Sequence, residues 1–196
     1  MSAENMFSHK RLPSMDTKSK ILNAAEAAIV KGGYGAFSFR DIAEEVGIKS
    51  ASVHYHYPTK ADLVVAVMVR FTHDFQAALP DPNTPDFDAK RTLNAFIDGF
   101  RAQNVEHHNM SICTMLTADK HQLSDVVSQS LADFYQVKLD WLTSVFKRLE
   151  GGTETAAQNR AGQFIAALHG ASVLVQATGE PAWYEKVASS WRQPAD

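Results

Sequence analysis

Between its glycine and proline breaks this chain repeats its apolar residues every three or four positions and hardly ever every second one. Such a pattern can bury a core only by packing helix against helix. The breaks fall at Gly32-Gly33, Gly47, Pro58, Pro80 to Pro85 and Gly151-Gly152, each closing one helical segment and opening the next. The first segment, with Ile21, Ala24, Ala25, Ala28 and Ile29 on one face, starts near Asp16 or Thr17 and stops at the glycine pair. Two short helices follow, the first opened by a Ser38/Asp41 capping box and the second capped by Ser50. A Thr59/Asp62 capping box then starts a longer helix with Leu63, Val67 and Phe71. The pattern predicts about 20 helical residues from Asp86, a short helix near Ser111 to Ala118, a long one from about Gln122 to Leu149, one near Glu154 to Thr178 and a last one from about Pro181 to Trp191. That makes an all-α fold of about nine helices: an N-terminal three-helix bundle and a larger helical domain. The expected division is 1–15 as a flexible N-terminal arm, 16–60 as the bundle and 61–196 as the larger domain.

Composition narrows what such a bundle can do. With 45% hydrophobic and 21% charged residues the chain can bury a core, which excludes wholesale disorder. Its lone cysteine, Cys113, rules out an intrachain disulfide and a cysteine-rich zinc site. The run Leu63 to Val69 is far short of the roughly 18 apolar residues of a membrane span, and Met1 to Met15 has no signal-peptide core, so a cytoplasmic protein with no membrane partner is expected. The net charge of −3 is unevenly spread: 8 basic against 6 acidic residues over 1–60, and 11 against 16 beyond. An anionic partner would therefore meet the small N-terminal bundle. Within the arm, Lys10-Arg11 could reach a minor groove, but an unfolded terminus is the simpler reading.

Residues Phe39 to Tyr57 fit a helix-turn-helix. Ala43 is small where the two helices must approach closely, and Gly47 supplies the positive φ that a sharp turn requires. Ile42, Val46, Ile48 and Val53 form the miniature core. Ser50, Ser52, His54, Tyr55 and His56 are left projecting from the second helix, a set suited to base edges and phosphates. Tyr57, in register with Val53, belongs to the core.

The run from Ile42 to Leu63, IAEEVGIKSASVHYHYPTKADL, closely resembles the signature of the TetR family of bacterial transcriptional regulators. The strong likeness covers about Lys18 to Phe71, and only the architecture is similar beyond it. The resemblance implies that Tyr55, His56 and Lys60 contact phosphate, that Ser38 and Lys49 do so from neighbouring helix ends, and that Ser50, Ser52 and His54 face the groove. Ala51 and His54 depart from the family pattern, where glycine and an aromatic residue are common, and so bear on close backbone approach and on one contact. The family likeness further implies a dimer on double-stranded DNA and a regulatory domain that takes a small apolar or amphipathic effector.

For that domain the residues suggest two surfaces. The helix near 154–178, through Ala161, Gln163, Phe164, Ala167, Leu168, Ala171 and Val175, with Gly170 for close approach, and the final helix together are the candidate dimer face. Phe96, Phe100, Cys113, Met115, Phe134, Trp141 and His169 are the candidate effector residues. Cys113 is otherwise an inert core thiol. His107, His108, Asp119 and His121 are ligand types without compact metal-binding spacing, so neither a metal nor another cofactor is expected. The resulting expectation is a ligand-responsive, dimeric DNA-binding regulator, a repressor, on a near-palindromic operator. One alternative is a DNA-binding regulator without an effector. The rival from another class, an all-helical enzyme or carrier, lacks any nucleophile-base motif or glycine-rich phosphate loop.

Overall fold

A computed structural model of the chain describes residues 16–106 and 110–194. The Lys10-Arg11 arm and His107 and His108 lie outside the described residues. Nine α-helices and no strand occur among the described residues: α1 (Thr17–Gly32), α2 (Phe39–Val46), α3 (Ser50–His56), α4 (Lys60–Ala78), α5 (Ala89–Arg101), α6 (Ile112–Ala118), α7 (Asp125–Glu150), α8 (Glu154–Thr178) and α9 (Ala182–Ala188). No described helix is long and apolar enough to cross a membrane.

Contacts group the described residues into two units, 16–74 with 111–134, and 75–106 and 110 with 135–194. This cut follows packing rather than chain order, and α4 and α7 each contribute to both.

In the first unit α1 opens on Asp16, whose carboxylate accepts from the Ser19 amide at 2.8 Å. Its inward face, Ile21, Leu22, Ala25 and Ile29, meets Ile42 and Ala43 of α2, Val53 of α3 and Leu63, Val64, Val67 and Met68 of α4 in one buried core. Each large aliphatic side chain buried there contributes about 1.5–3 kcal/mol. Arg70 of α4 ties back to α1 through Glu26 at 2.6 Å and Asn23 at 2.7 Å.

In the second unit Phe96, Phe100, Trp141, Leu142, Phe146, Phe164 and Leu168 form the core, and Tyr184 of α9 is wholly buried beside them. The Tyr184 hydroxyl donates to the Ile97 carbonyl at 2.8 Å, tying α9 to α5. The Trp141 indole donates to the Pro80 carbonyl at 2.9 Å, pinning the proline loop. Trp191 packs on Phe164 and Phe146 with the Arg160 guanidinium over its ring at 4.4 Å.

Four helix boundaries differ from the expectation; the long helix expected from about Gln122 starts at Asp125, Lys120–Gln122 forming a 3₁₀ turn ahead of it. The helix expected from Asp86 starts at Ala89, because Asp88 is its cap and accepts from the Arg91 amide at 2.9 Å; past Arg101 it widens into a π turn, Ala102–Glu106. There the buried Asn104 side chain donates to the Phe100 carbonyl at 2.9 Å. Ser50 is not a cap: Lys49 holds that position with no side-chain bond, and the Ser52 amide turns back on the Lys49 carbonyl at 2.8 Å. The last helix is shorter than expected, α9 giving way after Ala188 to hydrogen-bonded turns as far as Arg192.

Candidate nucleic-acid interface

The helix-turn-helix is built by local rules. Ser38 and Asp41 form the expected capping box, each side chain engaging the other's backbone amide. The Ser38 hydroxyl, donating to the Asp41 carboxylate at 2.8 Å, and the Ser38 amide, donating to it at 2.7 Å, hold that carboxyl below the usual carboxylate range. At the other end of α2, Gly47 lies in the left-handed region at φ 75 and ψ 37. The Gly47 amide reaches the Glu44 carbonyl at 3.1 Å and the Ile48 amide the Ala43 carbonyl at 2.9 Å, the two bonds of a Schellman stop. The chain thereby reverses tightly into α3. Thr59 and Asp62 form the second capping box, at the start of α4.

Seven residues long, α3 turns Val53 wholly inward, and Tyr57 just beyond it is buried as expected. Burial raises the Tyr57 phenol pKa. The opposite side carries what the sequence predicted to project. Tyr55 is 83% exposed, the most exposed large apolar side chain among the described residues. Lys49 and His54 are exposed, while Ser50, Ser52 and His56 are half-buried. The His54 ring leans edge-on against Phe39 at 4.6 Å and the His56 ring packs on Tyr55 at 5.3 Å, so both imidazoles are orientated by neighbours. Ser38 is exposed, but its hydroxyl is engaged in the capping box. Arg40, exposed in the first turn of α2 beside Ser38, is a cation that spacing alone did not single out.

Lys60 is held differently from the others. Its ammonium donates to the Phe37 carbonyl at 2.6 Å and lies over the rings of Phe37 at 4.2 Å and Tyr34 at 4.7 Å. Desolvation lowers its pKa, and the charges of Asp41 and Asp119 work against that. An ammonium has three N–H donors, so a phosphate contact is compatible with this seat.

The candidate effector residues are divided between the two units. Phe96 stacks on Trp141 at 5.7 Å, and Phe100 meets the edge of His169 at 5.0 Å, all in the second unit. Cys113, Met115 and Phe134 belong to the first unit, where Phe134 packs on Phe71 at 5.1 Å and Cys113 is buried. Burial and the Lys138 charge push the His169 pKa down to about 3, so its imidazole is neutral at pH 7. An open groove of about 700 Å³ runs along α1 and α4 in the first unit, lined by Leu22, Tyr57, Val65, Val69, Arg70 and Val126 among others.

The expected dimer face needs correction. Ala161, Phe164, Leu168, Ala171 and Val175 are packed inside the protomer, at 2% exposure or less, and offer nothing to a second copy; Ala167 is half-buried, and of the expected face Gln163 and Gly170 are exposed. Apart from Ala156 in its first turn, the apolar residues α8 turns outward are Ala166, Val173, Leu174 and Ala177, flanking Gly170 at helical spacing, with Trp183 exposed on α9. Because α8 is apolar nearly all round, its periodicity marks two faces without ranking them.

A capped, glycine-stopped helix pair presenting polar, cationic and aromatic side chains on a small bundle, followed by a larger helical unit, defines the helix-turn-helix class of regulatory protein. The profile for bacterial regulatory proteins of the tetR family matches residues 21–67. A TetR transcriptional regulator from Legionella pneumophila is 33% identical, the match covering 91% of this chain and 97% of that one with a TM-score of 0.82. A TetR-family transcriptional regulator from Agrobacterium tumefaciens is 28% identical over 89% of this chain and 94% of that one, with a TM-score of 0.78. The HTH-type transcriptional regulator TtgR of Pseudomonas putida is 35% identical over 66 residues, 33% of this chain but only 31% of that regulator's length. The chain belongs to the TetR family.

Proposed function

We propose that the protein is a transcriptional repressor that binds a near-palindromic operator as a homodimer and releases it when a small apolar or amphipathic molecule binds its C-terminal helices. The observation that carries the DNA-binding part is the outward side of α3. Nothing in the first unit's own packing calls for an 83% exposed Tyr55, whereas a phosphate and the neighbouring base edges offer that ring and its hydroxyl a partner. Lys49 and Arg40 supply exposed cations on the same motif, and Ser50, Ser52, His54 and His56 supply hydrogen-bonding groups. In this reading 16–60 read DNA, 61–196 dimerise and bind the effector, and α4 joins the two functions.

A reader of this size contacts too few base pairs for useful specificity alone, which is the case for pairing two copies. The outward stripe of α8 with Trp183 of α9 suits that contact. The Phe96, Phe100, Trp141 and His169 cluster is apolar with one neutral hydrogen-bonding group, which suits an amphipathic effector. An effector that prefers a conformer with wrongly spaced readers releases DNA by population shift alone.

The test is selection from random duplexes followed by anisotropy titration across salt. The expected specific affinity is on the order of 10⁻⁸ to 10⁻¹¹ M, falling steeply as salt rises. Tyr55→Ala should weaken binding at least tenfold, as expected for loss of about 1.4 kcal/mol or more at a contact residue, and leave the melting temperature unchanged. Absence of any sequence preference at low salt would overturn the reading. Melting the protein against a small-molecule panel identifies an effector by mass-action stabilisation.

A further inference from the structure

The seat that holds Lys60 is itself held from another helix. At the C-terminal end of α6, Asp119 accepts the Tyr34 amide through Oδ2 at 2.7 Å, across 85 positions of sequence. Gly33, at φ 81, makes room for it: a Cβ on Gly33 would fall 2.2 Å from the same oxygen. The other carboxylate oxygen takes the Gln122 side-chain amide at 3.3 Å, and the Gln122 backbone amide bonds the Asp119 carbonyl at 2.8 Å, so the carboxylate is braced on its own side as well. Tyr34 opens a 3₁₀ turn, Tyr34–Ala36, that leads directly into Phe37. Tyr34 and Phe37 are the two rings beneath the Lys60 ammonium, and Phe37 supplies its carbonyl acceptor. Lys60 is the first residue of α4, four positions past the end of α3.

We propose that Asp119 is a positioning residue for the DNA contact of Lys60: by fixing the Gly33-Tyr34 backbone it holds the ledge of two rings and one carbonyl on which the Lys60 ammonium is aimed. This rests on the reading of α2 and α3 as a DNA-binding motif. Asp119 does not touch the duplex. It removes the freedom of a long, rotamer-rich side chain before DNA arrives, so less ordering remains at the moment of binding. The need for glycine at position 33 is then a consequence of Asp119 as much as of the local turn.

The experiment uses the full chain and four variants: Asp119→Ala, Asp119→Asn, Tyr34→Leu and Lys60→Met. In the free protein, Asp119→Ala should speed hydrogen exchange at the Tyr34 amide about tenfold, the loss of one part-buried bond, and should shift the Lys60 Nζ resonance. An unchanged Lys60 resonance overturns the proposal. On the selected operator, Asp119→Ala should weaken binding about tenfold, and Asp119→Asn, which keeps one acceptor oxygen, should recover most of that.

Placed in a Lys60→Met background, Asp119→Ala should cost little more, because both act through one contact; full additivity overturns the proposal. Lys60→Met itself should flatten the salt dependence by about one phosphate. Tyr34→Leu keeps the amide and removes one ring of the ledge, so it tests the same chain of contacts if Asp119→Ala does not fold. It should weaken binding in the wild-type background and be silent in Lys60→Met; an equal loss in both overturns the proposal. A wild type that binds no duplex sinks the DNA-binding reading and the positioning role together. A wild type that binds, with additive variants, sinks the role of Asp119 alone.

Discussion

His169 illustrates how one side chain's surroundings become a property of the folded state. Its ring lies edge-on to Phe100 at 5.0 Å and 6.0 Å from Tyr135, and burial with the nearby Lys138 charge lowers its pKa to about 3. The unfolded chain protonates it near 6.5. Between those values the unfolded state binds more protons than the native state, so stability rises with pH there. The contribution is complete above about pH 6.5 and is lost as the pH falls toward 3. At pH 5 the gap of about 1.5 pKa units is worth on the order of 2 kcal/mol. Urea unfolding at pH 7.5 and pH 5 should therefore show a loss of that order, and a markedly smaller one in His169→Gln. Equal losses in the two proteins would remove His169 as the source. The sequence marked this histidine because it sits among apolar neighbours in α8. It could not place Lys138, thirty-one positions earlier, beside it.

At the scale of elements, what was legible divides by how far apart the interacting residues lie. Both capping boxes and the glycine stop at Gly47 involve groups within five positions, and each was readable from spacing. Contacts that span the chain were not. The Asp119 bond to Tyr34 links residues whose types predict nothing about each other, and alanine and aliphatic residues occur on both the inner and the outer side of α8. The π turn after α5 was equally hidden, since it depends on where the Asn104 side chain finds its carbonyl. The Gly47 stop offers a clean measurement, because a Cβ there would meet nothing within 4 Å. Gly47→Ala should then cost only the left-handed backbone penalty, about 1 kcal/mol, or roughly 2–4 °C in a chain of this size. A thermal melt checks it, and a much larger loss would mean that the α2–α3 reversal tolerates no adjustment. DNA affinity should stay near the wild-type value, since an alanine held in the same left-handed conformation keeps the angle at which α3 leaves α2.

For the whole molecule the open question is what covers the outward stripe of α8. Val173 is 49% exposed, Leu174 43% and Trp183 36%. They lie beside Gly170 and the alanines on the side of α8 that the protomer's own core does not use. A second copy meeting the same stripe about a two-fold axis is the economical cover, because an isologous contact places identical residues against each other and repeats the small ones where helices cross. Stable assembly needs about 1,600 Å² in total. That area is within reach only if α8 and α9 both take part. Replacing Val173 and Leu174 together by glutamate puts charge on the surface without touching Leu168 or Ala171 beneath. The helical content should stay that of the wild type, while sedimentation at micromolar concentration should show the protomer alone. Operator affinity should then drop by 10² or more, since each half-site loses the effective concentration supplied by its partner, while contacts within a single half-site persist. Should the double variant still sediment as a dimer, the two readers are coupled through another face. In that case the spacing of the half-sites, measured by footprinting, would locate the face by geometry: readers one DNA turn apart place the two α3 helices about 34 Å from each other, and any alternative axis must reproduce that separation.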